Sequence, residues 1–205
     1  MTYKLFYAER SAAMGTRVVL EEIGADYELL PASISKDEPR SKEHLALNPN
    51  GWVPVLIWPE GAMYECAAIN IFLCDLHPEA GLCPLPNDDL RGRYLQWLVF
   101  FTSSVQNAYQ MTYYPFRFCA TKDDEPAVQA RATSRLREVW QVVDDGIGDG
   151  DWVLGNQFSS VDIYLYMLIT WLSEDKGHPL VSEFANVHRV FNKVALRPSI
   201  QKVYC

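Results

Sequence analysis

The sequence predicts an α/β domain followed by an all-α domain. In the first part of the chain, short strand-like runs alternate with helix-like runs, the pattern of β-α-β units. In the remainder, long helical patterns dominate and no alternating strand pattern is visible. Three prolines and one glycine between Pro78 and Asp89 have the composition of a linker. We therefore expect a first domain over residues 1–77, a linker over 78–88 and a helical domain over 89–205.

The first domain opens with a predicted β-α-β unit. Its first strand covers Tyr3–Tyr7, and its helix covers Met14–Ile23, where apolar residues recur at mixed helical spacing. Gly24 ends this helix, because glycine readily adopts the backbone conformation that follows a last helical turn. The second strand covers Tyr27–Leu30.

Two further strands and two further helices complete this domain. We expect a loop over residues 33–40, a short helix over 41–47, a strand over 53–57, a hairpin strand over 62–64 and a helix over 66–76. Four turn-forming residues, Asn48–Gly51, separate the short helix from the third strand. Because Pro54 has no N–H to donate, it must lie at the start or the edge of that strand.

The second domain is predicted to contain helices over roughly residues 89–114, 125–147, 160–172 and 183–196. Its beginning is unusually aromatic: nine of the 25 residues from Tyr94 to Phe118 are Phe, Tyr or Trp, against 13% of the whole chain. Tyr94, Trp97, Phe101 and Tyr113 recur at spacings that suit one helix face, so core packing is the simplest explanation for them.

Charge and hydropathy exclude several classes of protein. Acidic residues number 26 against 18 basic ones, and no run of Lys or Arg exceeds two, so we do not expect a nucleic-acid partner. The chain begins without the features of a secretory signal, and no window approaches about 18 consecutive apolar residues. We expect a cytoplasmic protein without a membrane partner.

The five cysteines do not form a recognisable framework. Their number is odd, no two of them form a CxxC pair, and no histidines follow at zinc-finger spacing. This pattern argues against a disulfide scaffold and against structural zinc, and we expect no metal.

The loop Glu9–Ala13, between the first strand and the first helix, is the first candidate for chemistry. A helix N-terminus offers free N–H groups and about half a positive charge, which favour a thiolate, a carboxylate or a phosphate. The hydroxyl of Ser11 can donate to the same anion. Alternatively, Ser11 only caps the helix.

The loop Asn50–Pro54 is the second candidate. A cis Val53–Pro54 bond would turn the backbone N–H and C=O of Val53 outward, where an extended peptide can pair with them. The alternative is an ordinary proline at the edge of a strand.

The third candidate is the start of the helix at Tyr64–Ala68. Glu65 can pair with a ligand ammonium, while the N–H of Cys66 and the helix end receive a ligand carboxylate, an arrangement that fits the two charged ends of an amino acid. Alternatively, Glu65 only complements the helix dipole.

Taken together, these motifs resemble those of a known family. They are the β-α-β opening, the run from Asn48 to Leu56, the run Glu65–Ile69 about ten residues later, and the run Phe158–Asp162 in the helical half. In this order and spacing, they are similar to the bacterial-type cytosolic glutathione S-transferases from about Tyr3 to Pro198. The resemblance implies a thioredoxin-like domain that binds glutathione, a helical domain that forms most of an electrophile pocket, a homodimer, and a role in detoxification.

The resemblance also implies roles for individual residues. Pro54 matches the family's cis-proline, and Val53 matches the residue whose backbone pairs with the cysteinyl part of glutathione. Trp52 matches a variable position that often touches the tripeptide. Glu65 and Cys66 match the pair that holds the γ-glutamyl group. Ser159 and Asp162 match a capping box, which is a folding element.

Two departures from the family pattern bear on the chemistry. Cys66 stands where the family usually has Ser, and a thiol is a weaker donor than a hydroxyl, so glutathione affinity is expected to fall. Ala12 and Ala13 stand near the family's activating Ser or Cys, and neither can ionise a thiol. The remaining catalytic candidates are Ser11, Tyr7 or backbone N–H groups alone, with Arg10 as a cation that neutralises the thiolate.

Part of the aromatic run is a candidate electrophile pocket. The resemblance places the acceptor pocket near the far end of the first long helix, and the candidates there are Tyr109, Tyr113, Tyr114 and Phe116. An aromatic pocket suits a flat, apolar electrophile.

The sequence predicts a glutathione transferase that attacks an apolar electrophile with the glutathione thiolate. The same thiolate would also serve a glutathione-dependent disulfide reductase or ether lyase. A binding module that kept the fold and lost the chemistry is the rival from another class, motivated by Ala12, Ala13 and Cys66. A thiol-disulfide oxidoreductase that uses its own cysteine would have only Cys66 to rely on.

Overall fold

The computed structural model describes residues 2–35 and 37–205. The chain divides into two compact units. The first comprises Met1–Asp88 together with Ala195–Cys205, and the second comprises Asp89–Val194. Among the described residues, no helix combines the length and the apolar composition that a bilayer crossing requires.

A mixed four-stranded sheet forms the centre of the first unit. Its strands are β1 (Thr2–Tyr7), β2 (Asp26–Pro31), β3 (Val55–Trp58) and β4 (Gly61–Tyr64), in the spatial order β2-β1-β3-β4. β1 and β2 are parallel, whereas β3 is antiparallel to both β1 and β4. The α/β fold class predicted for this part of the chain is confirmed.

Three helices follow the strands of the first unit as predicted: α1 (Ala13–Glu22), α2 (Lys42–Leu47) and α3 (Cys66–Leu76). β3 begins two residues later than predicted, at Val55, because Pro54 cannot donate to the sheet and stays outside it. α1 is buried over much of its circumference, because the consecutive residues Val18, Val19 and Leu20 are all fully buried.

A last helix, α9 (Pro198–Tyr204), returns to the first unit. The sequence pattern predicts no helix here, and residues 195–205 are expected in the helical domain. Proline at the first position begins a helix as readily as it ends one, because the N–H that it lacks has no helical partner there. Arg197 binds Glu22 of α1 at 2.6 Å, which ties this segment to the first unit.

Helices make up the second unit: α4 (Arg91–Phe100), α5 (Asn107–Tyr113), α6 (Glu125–Ile147), α7 (Ser160–Ile169) and α8 (Ala185–Ala195). The predicted helix over 89–114 is broken by a π-helical stretch, Phe101–Gln106, between α4 and α5. The helical spacing of apolar residues in a sequence does not distinguish a short π-helical stretch from the α-helix around it. The all-α prediction for this part is confirmed.

The capping box at the start of α7 is present as expected. The hydroxyl of Ser159 accepts from the N–H of Val161, and the carboxylate of Asp162 accepts from the N–H of Ser159 at 2.8 Å. Asp162 also accepts from the N–H of Val153 at 2.8 Å, so it joins the preceding loop to the helix. Ser159, Val153 and Asp162 are completely buried.

Candidate active site

The register of the sheet brings the three candidate loops to one end of it. Val55, the first residue of β3, pairs with Phe6 near the end of β1 and with Tyr64 at the end of β4. Residues 8–12, 52–54 and 65–66 therefore leave the sheet side by side. A cavity of about 360 Å³ lies between residues 31–33 and 38–44, beyond the end of the neighbouring strand β2.

Ser11 caps the first helix from a buried position. Its hydroxyl donates to the carbonyl of Ala8 at 2.6 Å and accepts from the N–H of Ala13 at 3.2 Å. Among the described residues, no hydrogen bond reaches the backbone N–H of Ser11 or of Ala12. The loop therefore presents two free N–H groups, while the hydroxyl proton of Ser11 is already engaged.

Arg10 and Tyr7, the other two side-chain candidates near this loop, have different surroundings. Arg10 is exposed, and its φ of 56° lies in the left-handed region that favours glycine. Tyr7 lies beside Arg17 of α1, whose guanidinium carbon is 5.4 Å from the centre of the Tyr7 ring. Burial lowers the pKa of Arg17, but hydrogen bonds to Tyr27 and Tyr7 outweigh it and leave that pKa raised. Tyr7 therefore lies against Arg17, a side chain that stays positively charged.

The Val53–Pro54 bond is cis, as the resemblance implied. The backbone N–H and C=O of Val53 have no hydrogen-bond partner within residues 2–35 and 37–205. The loop before them is held firmly, because the carbonyl of Trp52 accepts from Asn48 Nδ2 at 3.0 Å and lies 3.0 Å from His44 Nε2. The Trp52 side chain itself is 50% exposed.

Glu65 and Cys66 face in opposite directions at the start of α3. The carboxylate of Glu65 is exposed, without a hydrogen-bond or ion-pair partner in the described part of the chain, and its φ is 79°. The side chain of Cys66 is only 4% exposed, and its thiol donates to the carbonyl of Ala12 at 3.3 Å. In this structure the thiol faces α1.

Two buried polar residues, which are not among the candidates predicted from the sequence, extend the contact between α1 and α3. Thr16 Oγ1 of α1 lies 3.5 Å from Cys66 Sγ and donates to Asn70 Oδ1 of α3 at 3.1 Å. Both Thr16 and Asn70 are completely buried, and Asn70 Nδ2 has no partner among the described residues. The sequence does contain a signal for these two residues, because each is a polar residue at a position that the apolar pattern of its helix buries.

Arg40 is a third residue near the site that is not predicted from the sequence. Its guanidinium donates to the carbonyls of Ser35 at 2.8 Å, Glu38 at 2.7 Å and Gly51 at 2.9 Å. These bonds connect the loop after β2 to the turn before Trp52. Arg40 therefore supports the loop that carries Val53.

The four aromatic candidates of the second unit divide into two pairs. Tyr109 is 1% exposed and accepts from Trp140 Nε1 at 3.2 Å, and burial raises its pKa well above the usual value. Tyr113 donates to the carbonyl of Trp171 at 2.6 Å. The other pair, Tyr114 and Phe116, have ring centres 6.2 Å apart, and Phe116 is 46% exposed. Packing within the unit thus accounts for Tyr109, whereas Phe116 has a ring available to a ligand.

Metal-binding side chains do not gather at this end of the sheet. No group of three or more His, Cys, Asp or Glu side chains in the described residues is placed to hold a metal ion. The groups that this site offers are backbone N–H groups, one free peptide edge and one exposed carboxylate. Such a set suits an anionic, peptide-like ligand with an ammonium group.

Family models match both units of the chain. The model "Glutathione S-transferase, N-terminal domain" matches residues 1–74, and "Glutathione S-transferase, C-terminal domain" matches residues 105–198. Glutathione S-transferase GstA of Escherichia coli O157:H7 is 25% identical over 200 residues, which cover 97% of this chain and 95% of that protein.

Solved structures show the same fold. A sphingomonad glutathione S-transferase complexed with glutathione superposes with a TM-score of 0.83 at 27% identity, covering 98% of this chain and 96% of that one. A glutathione transferase homologue from Sulfitobacter, with bound glutathione, reaches a TM-score of 0.90 at 20% identity with the same coverage. The second likeness concerns the fold alone.

Proposed function

The chain belongs to the glutathione S-transferase family, and on that premise we propose that it binds glutathione at the end of its sheet and ionises the thiol for attack on an apolar electrophile. The observation that carries the proposal is the pairing of Val55 with both Phe6 and Tyr64, which places the three loops next to one another. A tripeptide with a thiol in its middle and charged groups at its ends matches what these loops offer.

Each loop takes one part of the ligand in this proposal. The free N–H and C=O of Val53 pair with the cysteinyl residue of glutathione, as one strand pairs with another. The carboxylate of Glu65 receives the γ-glutamyl ammonium, and the N–H of Cys66 with the start of α3 receives the γ-glutamyl carboxylate. The 50% exposed ring of Trp52 covers the tripeptide.

The thiolate is proposed to lie at the start of α1, on the N–H groups of Ser11 and Ala12. A thiol with a pKa of about 8.5 is only about 3% ionised at pH 7, and lowering that pKa by two units takes about 2.7 kcal/mol. One charge-assisted hydrogen bond stabilises an anion by about 1.5 to 3 kcal/mol, and a helix end adds up to about 1 kcal/mol. Two N–H groups and the helix end therefore suffice without a side-chain donor.

Side-chain candidates are secondary in this mechanism. The hydroxyl of Ser11 would first have to release the carbonyl of Ala8, which it binds at 2.6 Å. Tyr7 lies beside Arg17, and its phenol would have to leave that partner. Arg10, exposed at the turn before α1, adds a positive charge near the sulfur.

The acceptor is proposed to be a flat, apolar electrophile. Support comes from the exposed ring of Phe116 and the neighbouring ring of Tyr114 in the second unit. We also propose that the protein is a cytoplasmic homodimer with a role in detoxification, as the family resemblance implies. Light scattering during gel filtration gives the mass of the assembly and tests the dimer.

Isothermal titration with glutathione tests the first step, and thiolate ultraviolet absorbance of the complex tests the second. We expect millimolar or tighter binding, an ionised thiol at pH 7 and turnover of a halogenated nitroaromatic. S-Methylglutathione is the control, because it keeps both charged ends and lacks the ionisable thiol. Absence of binding at millimolar glutathione contradicts the proposal, and binding without ionisation supports a binding module without catalysis.

A further inference from the structure

Three buried polar side chains join α1 to α3 directly beneath the proposed sulfur site. The thiol of Cys66 donates to the carbonyl of Ala12 at 3.3 Å. On the other side, Thr16 Oγ1 lies 3.5 Å from the sulfur and gives its own proton to Asn70 at 3.1 Å. Cys66 is 4% exposed, and Thr16 and Asn70 are completely buried. The thiol is therefore enclosed, and two oxygens on the α1 side can accept its proton: the Ala12 carbonyl, which is nearer, and Thr16 Oγ1.

This thiol holds one end of a single peptide group. The carbonyl of Ala12 and the N–H of Ala13 belong to the same planar peptide unit. Cys66 binds the carbonyl, while the hydroxyl of Ser11 accepts from the N–H at 3.2 Å. Since both ends of the plane are bound, the ψ angle of Ala12 and the φ angle of Ala13 are restrained. The peptide units that carry the N–H groups of Ser11 and Ala12 come immediately before this plane, so it limits how they can turn.

We propose that Cys66 is a positioning residue, whose thiol acts through the Ala12 carbonyl to hold the N–H groups of Ser11 and Ala12 toward the sulfur of glutathione. This inference rests on the proposed function and deepens it. Cys66 then acts on two parts of the ligand. Its backbone N–H binds the γ-glutamyl carboxylate, and its side chain orders the site that binds the cysteinyl sulfur. Cys in place of the family's Ser therefore changes the side-chain contact with the Ala12 carbonyl. The proposed contact between the Cys66 backbone N–H and the ligand is unaffected.

The test compares Cys66→Ala, which removes the donor, with Cys66→Ser, which keeps a donor of similar size. Cys74→Ala is the matched control, because Cys74 is also a buried cysteine of α3 and lies near the other end of that helix. For each protein, the pKa of the bound glutathione thiol is measured from thiolate absorbance against pH at saturating glutathione. Glutathione affinity is measured by titration, and thermal unfolding reports on packing.

We expect Cys66→Ala to raise the pKa of the bound thiol by about one unit, a tenfold loss in the ratio of thiolate to thiol. At a pH below the wild-type pKa of the bound thiol, its kcat/KM should fall about tenfold, and glutathione affinity at that pH should change less than about twofold. Cys66→Ser should restore the wild-type pKa, and Cys74→Ala should leave it unchanged.

Three results overturn the inference. One is an unchanged pKa in Cys66→Ala, and another is an equal pKa rise in Cys74→Ala, which would indicate general loss of packing. The third is a Cys66→Ser variant that behaves like Cys66→Ala. If the wild-type protein binds no glutathione at all, the proposed function fails first, and the titration separates that failure from the other three.

Discussion

Arg197 near the C-terminus binds Glu22 at the end of α1 through two nitrogens, at 2.7 and 2.6 Å. Ser199 donates to the same carboxylate at 2.5 Å, and the Glu22 side chain is only 11% exposed. These bonds attach the last helix, α9, to the helix whose first turn carries the proposed sulfur site. Their loss should therefore be visible in the stability of the first unit.

We expect Glu22→Gln to lower the free energy of unfolding by about 1.5 to 3 kcal/mol, the range for hydrogen bonds to a buried charge. Burial raises the pKa of Glu22, but the bonds from Arg197 and Ser199 and the charge of Arg197 lower it further, so the net shift is downward. A carboxyl with a lowered folded pKa stabilises above its ordinary pKa near 4.5 and loses this effect as pH falls through the folded value.

Urea unfolding of both proteins between acid and neutral pH measures this effect. The difference between wild type and Glu22→Gln should be full at neutral pH and shrink toward acid. Glu28→Gln is the control, since Glu28 forms an exposed pair with Lys4 at 3.3 Å and should change stability by less than about 1 kcal/mol. A pH-independent loss in Glu22→Gln would contradict the assignment.

Ser11→Ala should reduce stability and lower kcat/KM only moderately. Loss of the capping bond to Ala13 is expected to destabilise the protein by about 1 kcal/mol. Because the hydroxyl proton of Ser11 is bound to Ala8, the hydroxyl does not donate to the glutathione sulfur. Its bond to the N–H of Ala13 also restrains the Ala12–Ala13 peptide group, so we expect kcat/KM for glutathione to fall by no more than about tenfold.

Steady-state kinetics with a halogenated nitroaromatic, alongside thermal unfolding, separate the two effects of Ser11→Ala. Ser41→Ala is the comparison for stability, because Ser41 caps α2 in the same way through the N–H of His44. A loss of kcat/KM beyond about a hundredfold in Ser11→Ala, a range typical of a lost acid–base group, would instead identify the hydroxyl as the activating donor.

Glu65→Gln should weaken glutathione binding by about 10- to 100-fold. The exposed carboxylate has no protein partner among the described residues, so its proposed task is to bind an ammonium, and a charge-assisted hydrogen bond contributes about 1.5 to 3 kcal/mol. Glutamine preserves the size and the backbone at a position with φ of 79°. Titration calorimetry measures the affinity, and Glu60→Gln, an exposed glutamate at the β3–β4 turn, is the control. Equal affinities of the two variants would refute the role of Glu65.

Asp162→Ala should destabilise the second unit by about 3 to 5 kcal/mol. The carboxylate accepts from the N–H groups of Val153 and Ser159, and its removal leaves two buried donors without partners. If this variant does not fold, Ser159→Ala, which removes only the hydroxyl of the capping box, provides a milder test near 1 kcal/mol. Chemical unfolding measures both, and values within 0.5 kcal/mol of wild type would exclude the box as a major stabilising element.

Much of the fold was predictable because local patterns specify local structure. The apolar spacing of α6 predicted its bounds, Glu125–Ile147, without error. The turn residues before Pro54 indicated the start of a strand, and the resemblance added the cis bond that the structure contains. The π-helical stretch Phe101–Gln106 was not predictable, because its residues keep a helical pattern while the hydrogen bonding shifts.

The site was predictable as a set of loops but not as a set of side-chain directions. The sequence by itself determined which residues follow each strand, and therefore that Ser11, Val53 and Glu65 stand at chain positions suited to a peptide ligand. Only the tertiary structure decided that Ser11 donates to Ala8 and that Cys66 turns inward to Ala12. The physical reason is distance along the chain: the acceptor of the Cys66 thiol lies 54 residues away, and only the packing of α1 against α3 brings the two together.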